Sequence, residues 1–449
     1  MEEIIIIGGG LAGCEAAWQA AKLGVKVRLY EMRPEKQTSA HQTGYLAELV
    51  CSNSFGSILP DRAAGLLKQE AKLLASLLLE CAEASAIPAG TALAVDRLTF
   101  SSLVTQRMSE HPLIEIFRQE VTHIPDQPCI VASGPLTSTT LSKNLTSLTG
   151  EDHLFFYDAI APIISVDSIN LDIVFKASRF NHSASDSGDY INCPFTEEQY
   201  YNFVYELKNA QRIELRDFEK PVQSGVKAGA SQFFEGCLPV EVLAQREQNA
   251  LAFGPMRPIG LIDPHTGKRP FAVLQLRQDN LIGSLYNMVG FQTNLTFSEQ
   301  KRVLRLIPGL ENAEFVRFGQ MHRNTYIASP LLLRPTLEFK KRPGVFFAGQ
   351  ITGIEGYMGN IASGLLAGIN VAYWLKQQPL LEFPDTTILG ALCQYITQAD
   401  MKDFQPMKAN FGILPETMQK FKSKKEKIAF LVERSLTDLS QYLRQVNHP

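Results

Sequence analysis

An α/β fold is predicted, in which a parallel-sheet nucleotide-binding domain is assembled from two separated chain segments with an α+β domain inserted between them. Three observations predict it. The chain opens on a β-branched run, Ile4-Ile5-Ile6-Ile7, that passes straight into Gly8-Gly9-Gly10-Leu11-Ala12-Gly13 and an alanine-rich stretch. A second strand-then-glycine pattern, from Gly344 to Gly353, returns near the far end. Between them, from about 165 to 325, Asp-, Ser- and Asn-rich stretches alternate with short strands.

The opening run reads as a buried parallel strand. Gly8, Gly10 and Gly13 fit the G-x-G-x-x-G spacing: the first for a tight turn, the second for close backbone approach to a pyrophosphate, the third for helix–strand packing. Free N–H groups at the helix start, with the positive end of its dipole, then hold an anionic diphosphate, so residues Gly8, Gly9, Gly10, Leu11, Ala12 and Gly13 form the candidate cradle. Gly24 closes the helix, residues 25–30 read as the second strand, and Glu31 ends it 18 residues after Gly13. An acid there accepts hydrogen bonds from both hydroxyls of an adenosine ribose. A glycine turn that binds nothing would explain the glycines but not the strand, helix and acid that frame them.

Bulk numbers narrow the class. A chain of 449 residues suggests two or three domains, and 45% hydrophobic with 20% charged residues is ordinary globular composition. A strand beginning at residue 3 leaves no room for a leader peptide, and no apolar run reaches the roughly 18 residues of a membrane span. Seven cysteines, scattered and never in C-x-x-C pairs, argue for the reducing cytoplasm and against a disulfide framework or a metal cluster. With a net charge of −3, any contact with nucleic acid must be local.

Residues 35–47 form a long polar loop beside the presumed nucleotide, followed by Glu48-Leu49-Val50-Cys51-Ser52-Asn53-Ser54. Residues 62–85 are amphipathic, with Leu66, Leu67, Leu73, Leu74, Leu77, Leu78 and Cys81 on one helical face. Residues 113–121 alternate as an antiparallel strand would, and 129–134 read as a buried strand entering a Gly-Pro turn. Thr196 to Gln199 is a capping-box pattern. Arg257, Lys268, Arg269 and Arg277 against Asp263 make 257–277 locally basic, a candidate RNA contact. In the returning segment, Gly349, Gln350, Ile351 and Gly353 are candidate cofactor residues, a glycine-spaced loop carries Tyr357, and 361–376 form an apolar helix suited to close packing. Two segments on one nucleotide, as in the glutathione-reductase-like arrangement, point to FAD. The boundaries are 1–164 and 326–449 for this domain and 165–325 for the insertion. The tail 402–427 carries seven lysines against Asp403, Glu416 and Glu426 and reads as a solvated helical face or a second RNA contact.

Cys14, Cys81, Cys129, Cys193 and Cys393 have structural explanations in core strands and packed helices. Cys51 and Cys237 lie in turns rich in Gly, Ser, Asn and Pro, and Pro239 as a first helical residue would set Cys237 just before a helix N-terminus. The residues alone leave open whether either thiol is structural or reactive.

The segments GGGLAGCEAAWQAAKLGVKVRLYEMRP, ELVCSNS, PAGTALAVDR, FFEGCLPVE, FGPMRPIGL, MHRNTY and FFAGQITGIEGYMGNIASG resemble the GidA-related flavoproteins that modify tRNA uridines. Taken with the length, they are similar to the folate- and FAD-dependent tRNA (uracil-5-)-methyltransferases of the TrmFO type. One departure is Phe55-Gly56, where that family carries a leucine and often an arginine. The resemblance implies that 5,10-methylenetetrahydrofolate supplies a one-carbon unit, that FAD reduced by NADPH or NADH supplies hydride, and that the T-loop uridine of tRNA becomes 5-methyluridine. It implies Cys237 as the nucleophile at uracil C6 and Cys51 as the second thiol, taking the C5 proton or holding an intermediate. Tyr357 would lie near flavin and folate; His322 would stack on the pterin or be structural. No membrane or metal is implied. The physical logic agrees, since uracil C5 is a poor nucleophile until a thiolate adds at C6. Two other functions fit less well: a larger relative modifying wobble uridines, for which 449 residues leave little room, and a non-catalytic protein that binds FAD and tRNA.

Overall fold

The computed structural model describes residues 2–38, 40–151, 154–181, 188–213, 238–402 and 404–446, with backbone alone at 154–158, 181, 322 and 323. Its organising layer is a five-stranded parallel sheet in the order Val345–Phe347, Cys129–Val131, Glu3–Ile7, Lys26–Tyr30, Ile114–Phe117. The opening strand is central: Ile4 faces Val27 on one side and Ile5 faces Cys129 on the other, and Ile4 to Ile7 are all buried. The strand Val345–Phe347 sets Val345 against Cys129, so both ends of the chain share one sheet. The strand Ile114–Phe117 runs parallel to Lys26–Tyr30, correcting the antiparallel reading of 113–121. Alternation reports which face is buried and carries no information on the neighbour's direction.

One face of this sheet is closed by two helices in backbone contact, Leu11–Lys22 and Tyr357–Leu375. A Cβ on Gly364 would stand 2.2 Å from the Ala12 carbonyl oxygen, and one on Gly368 would stand 2.4 Å from that of Ala16. The late helix begins at Tyr357 rather than 361, capped by Gly356 at φ 85°, so Tyr357 is its first residue and not part of a loop. The amphipathic stretch 62–85 divides into Ala63–Leu73 and Leu77–Ala84. Ala75, at φ 53°, makes the break, and Leu73, expected in the core, is 49% exposed. Glu70 on the first of these helices is fully buried. It accepts from the N–H groups of Ile388 (2.7 Å) and Leu389 (2.9 Å) and from the Ser435 hydroxyl (2.7 Å), tying three helices together.

A second core occupies residues from Ile164 to Ala313. Its six-stranded antiparallel sheet runs Phe175–Lys176, Tyr190–Phe195, Ala272–Gln278, Leu285–Met288, Ile163–Ser165, Phe315–Arg317. Helix Glu197–Asn209 packs on it, with the expected capping box between Thr196 and Gln199. An antiparallel ribbon, Leu154–Ala159 with Met321–Tyr326, links this core to the parallel sheet. Among the described residues no helix is long and apolar enough to cross a membrane, and no group of three or more His, Cys, Asp or Glu could hold a metal ion. The lysine-rich tail is mostly irregular up to Ser423; the helix Lys424–Gln445 then buries Leu431, Ser435 and Leu439.

Two expectations follow. Gly364→Ala should drive a methyl group into the Ala12 carbonyl and destabilise the protein by about 1–3 kcal/mol in urea unfolding. Burial pushes the Glu70 carboxyl up to about 7 despite its hydrogen bonds. An unfolded Glu70 ionises near its ordinary value of 4.5, so its contribution to stability is full below that pH and is lost as pH rises through about 7. Wild type should therefore lose about 3 kcal/mol relative to Glu70→Gln across this window, measured by denaturant titration at several pH values.

Candidate active site

The strand end, the glycine turn and the helix start open into a cleft. Gly8, Gly10, Leu11, Ala12, Glu31, Gly349 and Gln350 line it, with Ser133 to Ser138, Tyr357 and Asn360. Gly8 is at φ 108°, and a Cβ there would lie 2.4 Å from the Ala132 carbonyl oxygen. A Cβ on Gly13 would lie 1.8 Å from the Gly8 oxygen, so the helix can start here only on glycine. Gly10 has nothing within 4 Å of its Cβ position and caps the helix without a side chain, leaving the first turn open to the cleft. Gly9, Gly13, Ile351 and Gly353 stand behind the wall. Ile351 is fully buried, and Gly353, at φ 92°, turns the chain against Phe404.

Glu31 does not stand alone. One carboxylate oxygen accepts from the Gly9 N–H (3.0 Å), the other from the Arg33 N–H (3.0 Å) and Nε (2.9 Å). Burial raises its pKa, but the hydrogen bonds and charge of Arg33 outweigh that and hold it below the usual carboxylate range. Arg33 is 2% exposed and also donates to Glu48 (2.8 Å). Glu48 in turn accepts from the N–H of Gln42 (2.8 Å) and the N–H and hydroxyl of Thr43 (3.1 and 2.8 Å). The polar loop 35–47 is thus folded around one buried guanidinium.

At the other end of the cleft stands the Cys51 turn. The Tyr357 hydroxyl accepts from the N–H groups of Cys51 and Ser52, each at 3.0 Å, and donates to the Ser52 carbonyl at 2.9 Å. Desolvation and the nearby Cys51 push its phenol well up, so it stays protonated. Three arginines grip the same turn. Arg97 donates to the Leu49 carbonyl (2.5 Å) and pairs with Asp279 (3.0 Å). Arg317 donates to the Val50 carbonyl. Arg277 donates to Asn53 Oδ1 (2.9 Å) and Ser52 Oγ (2.8 Å). Arg277, counted in the basic stretch 257–277, is therefore a buried clamp rather than part of that stretch's exposed surface. Arg97 and Arg317 both sense the charge of Cys51. Phe55 is buried, with its ring centroid 5.5 Å from that of Tyr357. Gly56, at φ 79°, has a conformation that favours glycine over arginine.

Cys51 is half-buried, whereas Cys14, Cys81, Cys129, Cys193 and Cys393 are buried. Burial pushes the thiols of Cys81, Cys129 and Cys393 up to about 12 and those of Cys14 and Cys193 higher, suiting structural roles. Cys237 lies outside the described residues. Pro239 is the cap, not the first residue, of a seven-residue helix, Val240–Arg246. In its first turn the buried Glu241 accepts from the Asn294 N–H (2.8 Å). His322 is placed by its backbone alone, opposite Asp158 on the ribbon. Arg257, Lys268 and Arg269 are exposed on the second core.

Sequence reasoning missed Arg33, Glu48, Arg97, Arg317 and Asn360. Asn360 is on the cleft wall, 7% exposed, and its Oδ1 has no hydrogen-bond partner among the described residues. A buried acceptor without a donor costs about 1–3 kcal/mol. A ligand bearing N–H or O–H would satisfy it, and the glycine cradle and Glu31 fit a dinucleotide.

Comparison with known proteins agrees with this geometry. The profile of the family described as Glucose inhibited division protein A matches residues 3–379. A Methylenetetrahydrofolate--tRNA-(uracil-5-)-methyltransferase TrmFO of Halalkalibacterium halodurans is 52% identical over 445 residues, covering 99% of each chain. One from Pelotomaculum thermopropionicum is 52% identical over 440 residues, covering 98% of each. Among solved structures, Aquifex aeolicus GidA superposes with a TM-score of 0.70 at 16% identity, covering 99% of this chain and 73% of that one.

Arg33→Ala should leave Glu31 and Glu48 buried without their shared cation. A loss of about 3–5 kcal/mol in chemical denaturation is expected, against under 1 kcal/mol for an exposed pair such as Lys72 with Glu83.

Proposed function

Because this chain belongs to the Glucose inhibited division protein A family, with half its residues identical to TrmFO methyltransferases end to end, we propose that it methylates tRNA at uracil C5. The T-loop uridine is the substrate and 5-methyluridine the product. One observation carries the reading: a thiol-bearing turn is suspended by Tyr357 from the wall of a dinucleotide cleft. FAD would be held by residues Gly8 to Gly13, Glu31, Gly349 and Gln350, with Ile351 and Gly353 shaping the turn behind. Bound there, FAD reduced by NADPH or NADH supplies hydride, while 5,10-methylenetetrahydrofolate supplies the carbon.

The chain's own residues do the rest. The Cys237 thiolate adds to uracil C6, which concentrates electron density at C5 so that this carbon can take up the one-carbon unit, and it leaves C6 again as the methyl group is completed. Cys51 Sγ receives the C5 proton, in a turn whose backbone Arg97 and Arg317 hold in place. Tyr357 holds the turn and closes the cleft against water. His322 is a candidate to stack on the pterin. Arg257, Lys268 and Arg269 are candidate phosphate contacts, with the 402–427 lysines as a second set, and offset the cost of extruding the uridine. A tRNA-modifying role places the protein in the cytoplasm. The wobble-uridine reading is disfavoured, because this chain and the methyltransferases cover 98–99% of one another but it spans 73% of the Aquifex GidA.

The test is to incubate the protein with methylenetetrahydrofolate, NADPH and unmodified tRNA and to analyse the nucleosides. 5-Methyluridine is expected; its absence with a yellow, folded protein refutes the reading. Cys237→Ala should abolish both methylation and the covalent adduct with a 5-fluorouridine T-stem-loop. Cys51→Ala should stop methylation yet still form the adduct. The opposite pattern would reverse the two thiols.

A further inference from the structure

We propose that Phe180, Ile259 and Arg257 form a seat for unpaired RNA nucleotides beside the target uridine, with the Phe180 ring as a stacking platform. This rests on the tRNA reading above. Phe180 adopts φ 57°, ψ 27°, a left-handed conformation that is strained for a bulky residue. Its ring is nonetheless 61% exposed, so burial does not offset that strain. The ring lies against Gly260, where a Cβ would come within 3.1 Å of its carbons. The Phe180 N–H donates to the Gly260 carbonyl at 3.1 Å. Arg179 locks the same loop by donating to the carbonyls of Arg257 (2.5 Å) and Ile259 (2.9 Å). A rigid backbone thus holds an aromatic face out to solvent.

The surroundings match single-stranded RNA. Phe253 (82%), Ile259 (48%) and Ile262 (60%) are exposed nearby in sequence. Arg257, Lys268 and Arg269 have no ion pair among the described residues. The sole acid from 254 to 270, Asp263, is 6% exposed and engaged by His265 and Thr266 of its own turn. Aromatic faces interleaved with unpaired cations suit unstacked bases and their phosphates, and the cations argue against a neutral apolar partner.

The seat is also joined to the thiol turn. Arg179 Nε donates to Gln275 Oε1 at 2.8 Å. Gln275 and Arg277 share one face of the strand Ala272–Gln278, about 7 Å apart along it. Arg277 grips Ser52 and Asn53, next to Cys51. A nucleotide chain with its target base at Cys51 would have its neighbours within reach of Phe180.

The test uses the FAD-loaded protein and a T-stem-loop RNA, with affinity measured by fluorescence anisotropy across a salt series. Phe180→Ala should weaken binding about tenfold with an unchanged salt slope, since no phosphate contact is lost. Phe180→Tyr should bind within about twofold of wild type. Arg257→Gln should lower the slope by about one. Phe180→Gly removes the ring while relaxing the backbone, so it should lose affinity equally with a thermal midpoint no lower than wild type. If wild type binds and methylates the RNA while Phe180→Ala and Phe180→Gly bind as tightly, the seat is refuted. If wild type itself does neither, the tRNA reading falls and takes this inference with it.

Discussion

The peptide groups of Cys51 and Ser52 hang on one phenolic oxygen, and the arrangement of the site depends on it. Tyr357 can reach them because it is the first residue of its helix, and that helix can lie where it does because Gly364 and Gly368 admit backbone against backbone. A methyl group at either glycine would separate the helix from the glycine-turn helix. The nucleotide cleft and the thiol turn are therefore set by a single packing contact.

Charge reinforces this from the opposite side. Arg97, Arg277 and Arg317 converge on residues 49–53, yet Asp279 is the only carboxylate that pairs with any of them among the described residues. Such a cluster favours an anion at its centre. A thiolate at Cys51 would provide it, as would charge developing on a substrate. Two of these arginines come from strands of the second core, so the thiol's electrostatics require both cores to be docked.

Much of this was legible in the sequence. The opening strand, glycine turn, first helix and Glu31 were readable because local spacing dictates them, and the returning segment announced itself by glycines that only close approach explains. The direction of the 113–121 strand was not legible, since pairing direction depends on a partner far away in sequence. Neither was the break at Ala75, which no glycine or proline marks. Arg277 looked like surface charge because a cation's burial depends on what covers it, here the Asn53 side chain. Arg97 and Arg317 carried no pattern at all. Asn360 lay within the glycine-rich run, but only its want of a partner singles it out.

The shared sheet bears on how the protein is made. The strand Cys129–Val131 is flanked by Glu3–Ile7 on one side and Val345–Phe347 on the other, so the parallel sheet lacks its edge strand until the late segment of the chain has been made. At 5–20 residues per second that wait lasts roughly ten to forty seconds. The second core has every strand of its sheet between Ile163 and Arg317 and can close first. Throughout the wait the apolar strand Cys129–Val131 has one open edge, making it the stretch of the nascent first domain most in need of chaperone cover.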